Sequence, residues 1–172
     1  MPLLDIMQKK LREAHYFLGL MNAVDERTVG NPEEFQFLLS AFLSASRSIT
    51  DLLENRQYRS WFEAWQNGRE NRAKQLLQFM RIQRIAEVHS SGADILQDVQ
   101  YIPISEIRSD SLGHPVYYGF QWWAPPGTSS PTIGVTVREF KLGSTKVGAL
   151  ATCRDIVYEL SELVRAFETT CP

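Results

Sequence analysis

Cysteine and histidine are scarce in this 172-residue chain, and no apolar run is long enough to span a bilayer. The two thiols, Cys153 and Cys171, cannot form a disulfide framework. Met1 to Asp5 has no basic stretch followed by an apolar one, so no secretory leader is expected there. Together these place the chain in a reducing cytoplasm, with no membrane partner. Cys153 lies on an apolar seam and reads as a packed thiol, while Cys171 sits in a frayed tail. The three histidines, His15, His89 and His114, are far apart, and none has metal-ligand spacing, so no metal or other cofactor is expected. Also missing are a glycine-rich phosphate loop, a serine elbow and a Cys–His motif. A formal net charge of −2 gives no global attraction to nucleic acid.

What is present is helical periodicity. Leu4, Met7, Leu11, Leu18 and Met21 form one stripe over residues 3–24, with Ala14 and Phe17 beside it. Asn31-Pro32-Glu33-Glu34 is a helix start: Asn31 as N-cap, Pro32 at the first helical position and Glu34 closing a capping box. The helix it opens, 31–54, buries Phe35, Leu38, Leu39, Phe42, Ala45, Ile49, Leu52 and Leu53. Asn67-Gly68 separates a short helix around Trp61 and Phe62 from a longer one starting near Arg69. That longer helix buries Leu76, Leu77, Met80, Ile85 and Val88 and should stop at Ser90-Ser91-Gly92. A final helix, 146–169, carries Leu150, Cys153, Val157, Leu160, Val164 and Phe167 at steps of three and four.

Between these helices the character changes. Residues 99–104, 116–123 and 132–140 are rich in β-branched and aromatic side chains. Ile133, Val135 and Val137 alternate with Thr132, Gly134, Thr136 and Arg138, so one face of that strand should be buried. The reading is one mainly α domain, an up-and-down helical bundle over 3–92 and 146–169. An antiparallel ribbon or meander over about 98–141 is inserted before the last helix and packs on the helices.

Residues 56–84 carry seven arginines or lysines against two glutamates, although the whole chain is net acidic. Such a segment can form a local patch for phosphate, or a solvated face that pairs with acidic neighbours. Its helix ends in Arg84-Ile85-Ala86-Glu87-Val88-His89. This arginine and histidine, separated by four residues at a helix boundary before a closing helix, resemble the signature of the HEPN family. The order of elements resembles that family as well, with the ribbon as an insertion. A second arginine–histidine pair, Arg108 and His114, falls in a loop region where the family would not put it.

The resemblance implies metal-independent RNA cleavage of the toxin or defence type, in a two-fold homodimer with both motifs at the interface. The dimer matters physically, because positions 84 and 89 lie about 140° apart around a straight helix and do not converge on one phosphate. His89 would take the proton from a ribose 2′-hydroxyl, and Arg84 would stabilise charge on the phosphate. Arg81, one turn earlier, and Lys74 would bind substrate backbone. Active family members usually follow the arginine with Asn, Asp or His, and this chain has Ile85. That departure favours the alternative, a non-catalytic interaction module on the same helical scaffold. Its protein partner would be met by Tyr118, Trp122 and Trp123 of the aromatic strand.

Overall fold

A computed structural model describes residues 2–25, 32–55, 57–89, 95–103, 120–121, 132–142 and 145–171, with side chains described for 2–25, 33–55, 57–83, 138–140 and 147–171. Among these, five helices and four strands follow in order: α1 (Leu3–Asp25), α2 (Pro32–Leu53), α3 (Arg59–Asn67), α4 (Asn71–His89), β1 (Ile95–Pro103), β2 (Phe120–Gln121), β3 (Thr132–Leu142), β4 (Thr145–Gly148) and α5 (Ala149–Thr170). The protein is mostly helical, with a small antiparallel sheet placed before the last helix.

The apolar stripes become the contacts. Helices α1 and α2 pack along each other most extensively, and α5 lies against α1, α2 and α4. Met7, Ala14, Leu18 and Met21 of α1 meet Phe35, Leu39, Phe42 and Ile49 of α2 in one core. Leu4, Leu11, Phe17, Leu38 and Leu52 are only partly buried at its margin. On α5, Cys153, Val157, Leu160, Val164 and Phe167 are all buried, as the heptad-like spacing requires, while Leu150 lies at the edge. The short helix α3 is fixed by aromatic rings: Trp61 and the preceding Tyr58 both stand edge-on to Phe167. The break after it uses no left-handed glycine. Gly68 keeps φ −75° and donates to the carbonyls of Ala64 and Trp65, closing α3 with a tightened last turn.

Pro32 opens α2, and α4 ends at His89, both where the sequence puts them. The proposed cap at Asn31 and the stop at Ser90–Gly92 lie outside the described residues. Two helix starts differ, and the first strand begins at Ile95 rather than at residue 99. α4 starts at Asn71 rather than Arg69, and α5 starts at Ala149 because Thr145–Gly148 is a strand. Leu142 pairs with Thr145 across only two residues, Gly143 and Ser144. A Gly-Ser pair between strands is a hairpin signal, and it carries the sheet out to residue 148.

The sheet is built around β3. Along one edge β3 pairs with β1, from Thr132 opposite Pro103 to Phe140 opposite Ile95. It also pairs with β2 at Val135 and Gly134, and with β4 over Glu139 to Leu142. The order β1-β3-β2, with β4 also on β3, is not that of a meander, whose strands neighbour one another in sequence. Where β3 meets the bundle, its face carries Arg138 and Phe140. Phe140 is fully buried and packs against Phe79 of α4, with ring centroids 5.0 Å apart. Arg138, two residues earlier on the same face, forms an ion pair with Asp25 of α1, and its guanidinium lies 4.6 Å from the ring centre of Phe35 of α2. The register is unbroken through this stretch, so positions 133, 135 and 137 fall on the opposite face. An arginine can face the bundle here because a carboxylate and an aromatic ring receive it.

Candidate anion-binding cleft

The charged face of α4 holds the residues singled out for phosphate. Lys74, Gln78 and Arg81 recur at spacings of four and three, so they share one side of the helix, opposite the buried Leu76, Phe79 and Met80. This side opens into a cleft of about 320 Å³. Arg47, Thr50 and Glu54 line its α2 wall, and Gln66 and Asn67 project from the end of α3.

Each cation is held differently. Lys74 is half-buried and donates one bond to the Asn67 carbonyl at 3.0 Å, leaving two of its ammonium protons for another acceptor. Arg81 is exposed and has no ion pair among the described residues. Arg47 has only 13% of its side chain exposed and is fully engaged. Its Nη1 donates to Thr50 Oγ1 at 2.8 Å and to Glu54 Oε1 at 3.0 Å, and its Nη2 meets Glu54 Oε2 and Asp51 Oδ1, both at 2.7 Å. The hydrogen bonds from Arg47 hold the Glu54 carboxyl below the usual carboxylate range, outweighing partial burial, and Arg81 and Arg59 add to the same effect. Glu54 is therefore ionised throughout the neutral range.

Lys74 and Arg81 thus line one cleft with Arg47 and Glu54, which were not singled out in the sequence. The apolar stripe of α2 drew the reading away from its polar side. The signal available was an arginine followed by acids at Asp51 and Glu54, spacings of four and seven on one helix face.

The wider basic segment is not one open patch. Arg59 pairs with Glu63, Arg69 with Glu159 and Arg72 with Asp155. The last two pairs tie α4 and the turn before it to α5 across a second cleft of about 470 Å³. Arg69 also lies 5.3 Å from the centre of the Trp65 ring. These cations are committed to carboxylates and an aromatic ring of the same chain; among the described residues of the segment, the cations outside such pairs, Lys74 and Arg81, both line the α2–α4 cleft.

Arg84 and His89 both belong to α4, whose backbone is helical through His89. Their side chains lie outside the described residues, as do Arg108, His114, Tyr118, Trp122 and Trp123. At about 100° per residue, the Cα positions of 84 and 89 flank the Lys74–Arg81 line, one on each side of it. Position 84 is about 60° from position 81, and position 89 about 80° on the other side. Both cysteines are free, and burial pushes the Cys153 thiol far up, out of the reactive range.

Among the described residues no group of histidine, cysteine and acidic side chains is placed to hold a metal, and no helix is long and apolar enough to cross a membrane. No family model matches the chain, and neither a curated protein nor a solved structure does.

Proposed function

We propose that this chain is a HEPN-like RNA-binding protein that cleaves RNA without a metal. It would act in the cytoplasm as a homodimer, in a toxin or defence setting. The observation that carries the reading is the α2–α4 cleft, where Lys74 and Arg81 sit together on the helix that ends in Arg84 and His89. Arg47, Lys74 and Arg81 line the cleft, where Arg47 is held by Glu54 and Asp51 while Lys74 and Arg81 face no carboxylate partner among the described residues. Among the described residues no aromatic ring lines it, so the recognition it supports is of the phosphate backbone rather than of stacked bases. From the end of α4, His89 takes the proton of a ribose 2′-hydroxyl. The 2′-oxygen then attacks phosphorus and the bond to the 5′-oxygen breaks, leaving a cyclic phosphate and a 5′-hydroxyl that takes up a proton. Arg84 stabilises the charge that builds on the phosphate. A second subunit is part of this reading because one helix holds the two positions apart.

The competing reading is a non-catalytic interaction module. It is favoured by Ile85 and by the commitment of Arg59, Arg69 and Arg72 to carboxylates within the chain.

Binding of a labelled single-stranded RNA at low ionic strength separates the two. The wild type is expected to bind. Lys74→Ala and Arg81→Ala should each weaken binding by roughly fivefold and lower the salt slope by about 1, the mark of one lost phosphate contact. Arg72→Ala, which removes an exposed cation outside the cleft, should leave the affinity unchanged. No binding by the wild type, or an equal loss with Arg72→Ala, would favour the interaction module.

A further inference from the structure

We propose that Glu54 is an internal competitor for the phosphate in the α2–α4 cleft, so that RNA binds by displacing its carboxylate from Arg47. This rests on the RNA reading above and adds how the site discriminates among anions.

The geometry supports exchange. Glu54 meets Arg47 through both carboxylate oxygens, at 3.0 and 2.7 Å, the two-pronged arrangement that a phosphate also adopts on a guanidinium. The carboxylate therefore occupies the hydrogen-bonding positions an incoming phosphate would need. Glu54 follows the last residue of α2 and its side chain is 37% exposed, so withdrawing it buries no charge and breaks no helical turn. Arg47 would not collapse when Glu54 leaves. Asp51 at 2.7 Å and Thr50 Oγ1 at 2.8 Å still hold the guanidinium from its own helix, aimed at the cleft.

Exchange of one carboxylate for another monoanion gains nothing, because it trades one ion pair for an equivalent one. A polyanionic backbone gains more: its phosphates meet Lys74 and Arg81 at the same time as Arg47. Glu54 would therefore make the cleft reject chloride and small carboxylates while admitting a chain of phosphates. This is specificity by a built-in competing charge.

The test measures affinity for a labelled single-stranded RNA by fluorescence polarisation, with a melting curve for each protein. Glu54→Gln removes the charge. Glu54→Asp keeps the charge but, one methylene shorter, cannot reach Arg47 with both oxygens. Both variants are expected to bind roughly fivefold more tightly than the wild type. Glu162→Gln, a carboxylate paired with Arg165 on α5 away from the cleft, should bind as the wild type does. A gain with glutamine but none with aspartate would overturn displacement, since charge alone would then explain it. No gain with either, while the wild type binds RNA, would overturn the competitor role and leave the RNA reading standing. If neither the wild type nor any variant binds, the RNA reading fails and the inference falls with it. If Glu54→Gln melts early, the conservative aspartate variant decides the matter.

Discussion

Leu160→Ala is expected to destabilise the protein by about 2–5 kcal/mol, the range for removing a large buried aliphatic side chain. Leu160 is fully buried at the middle of α5, and α5 is the helix that touches α1, α2 and α4. Truncation there leaves a cavity bounded by several elements, none of which can close it without losing its other contacts. A urea titration should show a lower midpoint with an unchanged slope, the sign of lost stability rather than a changed denatured state. A loss under about 0.5 kcal/mol would mean that this face is exposed, as surface substitutions usually are.

The second large effect is expected where the sheet joins the bundle. Asp25→Ala should cost about 3 kcal/mol, because it strands the Arg138 guanidinium in a buried position. The side chains of Arg138 and Asp25 are only 9% and 15% exposed, and among the described residues Arg138 Nε already lacks a hydrogen-bond partner. The Phe35 ring over which the guanidinium lies offsets part of the loss but cannot replace a charge. Replacing both members, as Asp25→Ala with Arg138→Met, should recover much of the stability, since no charge is then left unpaired. By comparison, Arg72→Ala breaks a pair whose arginine is 71% exposed and should cost no more than about 1 kcal/mol. Equal losses from Asp25→Ala and Arg72→Ala in the same titration would show that the β3 contact does not anchor the sheet.

This contact also shows where the sequence was hard to read. The helical stripes were legible because burial on a helix imposes its period directly, and residues such as Met7, Phe42 and Val157 are buried where spacing puts them. The site was half legible. Lys74 and Arg81 stand out as cations on a basic helix, but Arg47 lies on the polar side of α2, where its pairing with Asp51 and Glu54 is overshadowed by the apolar stripe of the same helix. The commitment of Arg69 to Glu159 spans ninety residues of chain, so a count of charges along the basic segment overstated the free patch. The orientation of β3 was left open for a related reason. Alternation tells which residues share a face but not which face meets the core, and the polar-looking face with Arg138 and Phe140 was chosen by partners on α1, α2 and α4. The short strand before α5 was encoded locally, by Gly143-Ser144, and was hidden by the helical pattern immediately after it.

The central claim is that Arg84 and His89, at the end of the helix bearing the cleft, act on RNA. Its most direct test is the cleavage of a labelled single-stranded RNA in EDTA by the wild type and by His89→Ala, with folding of both followed by circular dichroism. The wild type is expected to cut and leave a cyclic phosphate, and His89→Ala to lose cutting while keeping its fold. The double variant Arg108→Ala/His114→Ala, which removes the other arginine–histidine pair, should cut as the wild type does. Equal cutting by the wild type and His89→Ala, or no cutting by the wild type, would contradict the claim.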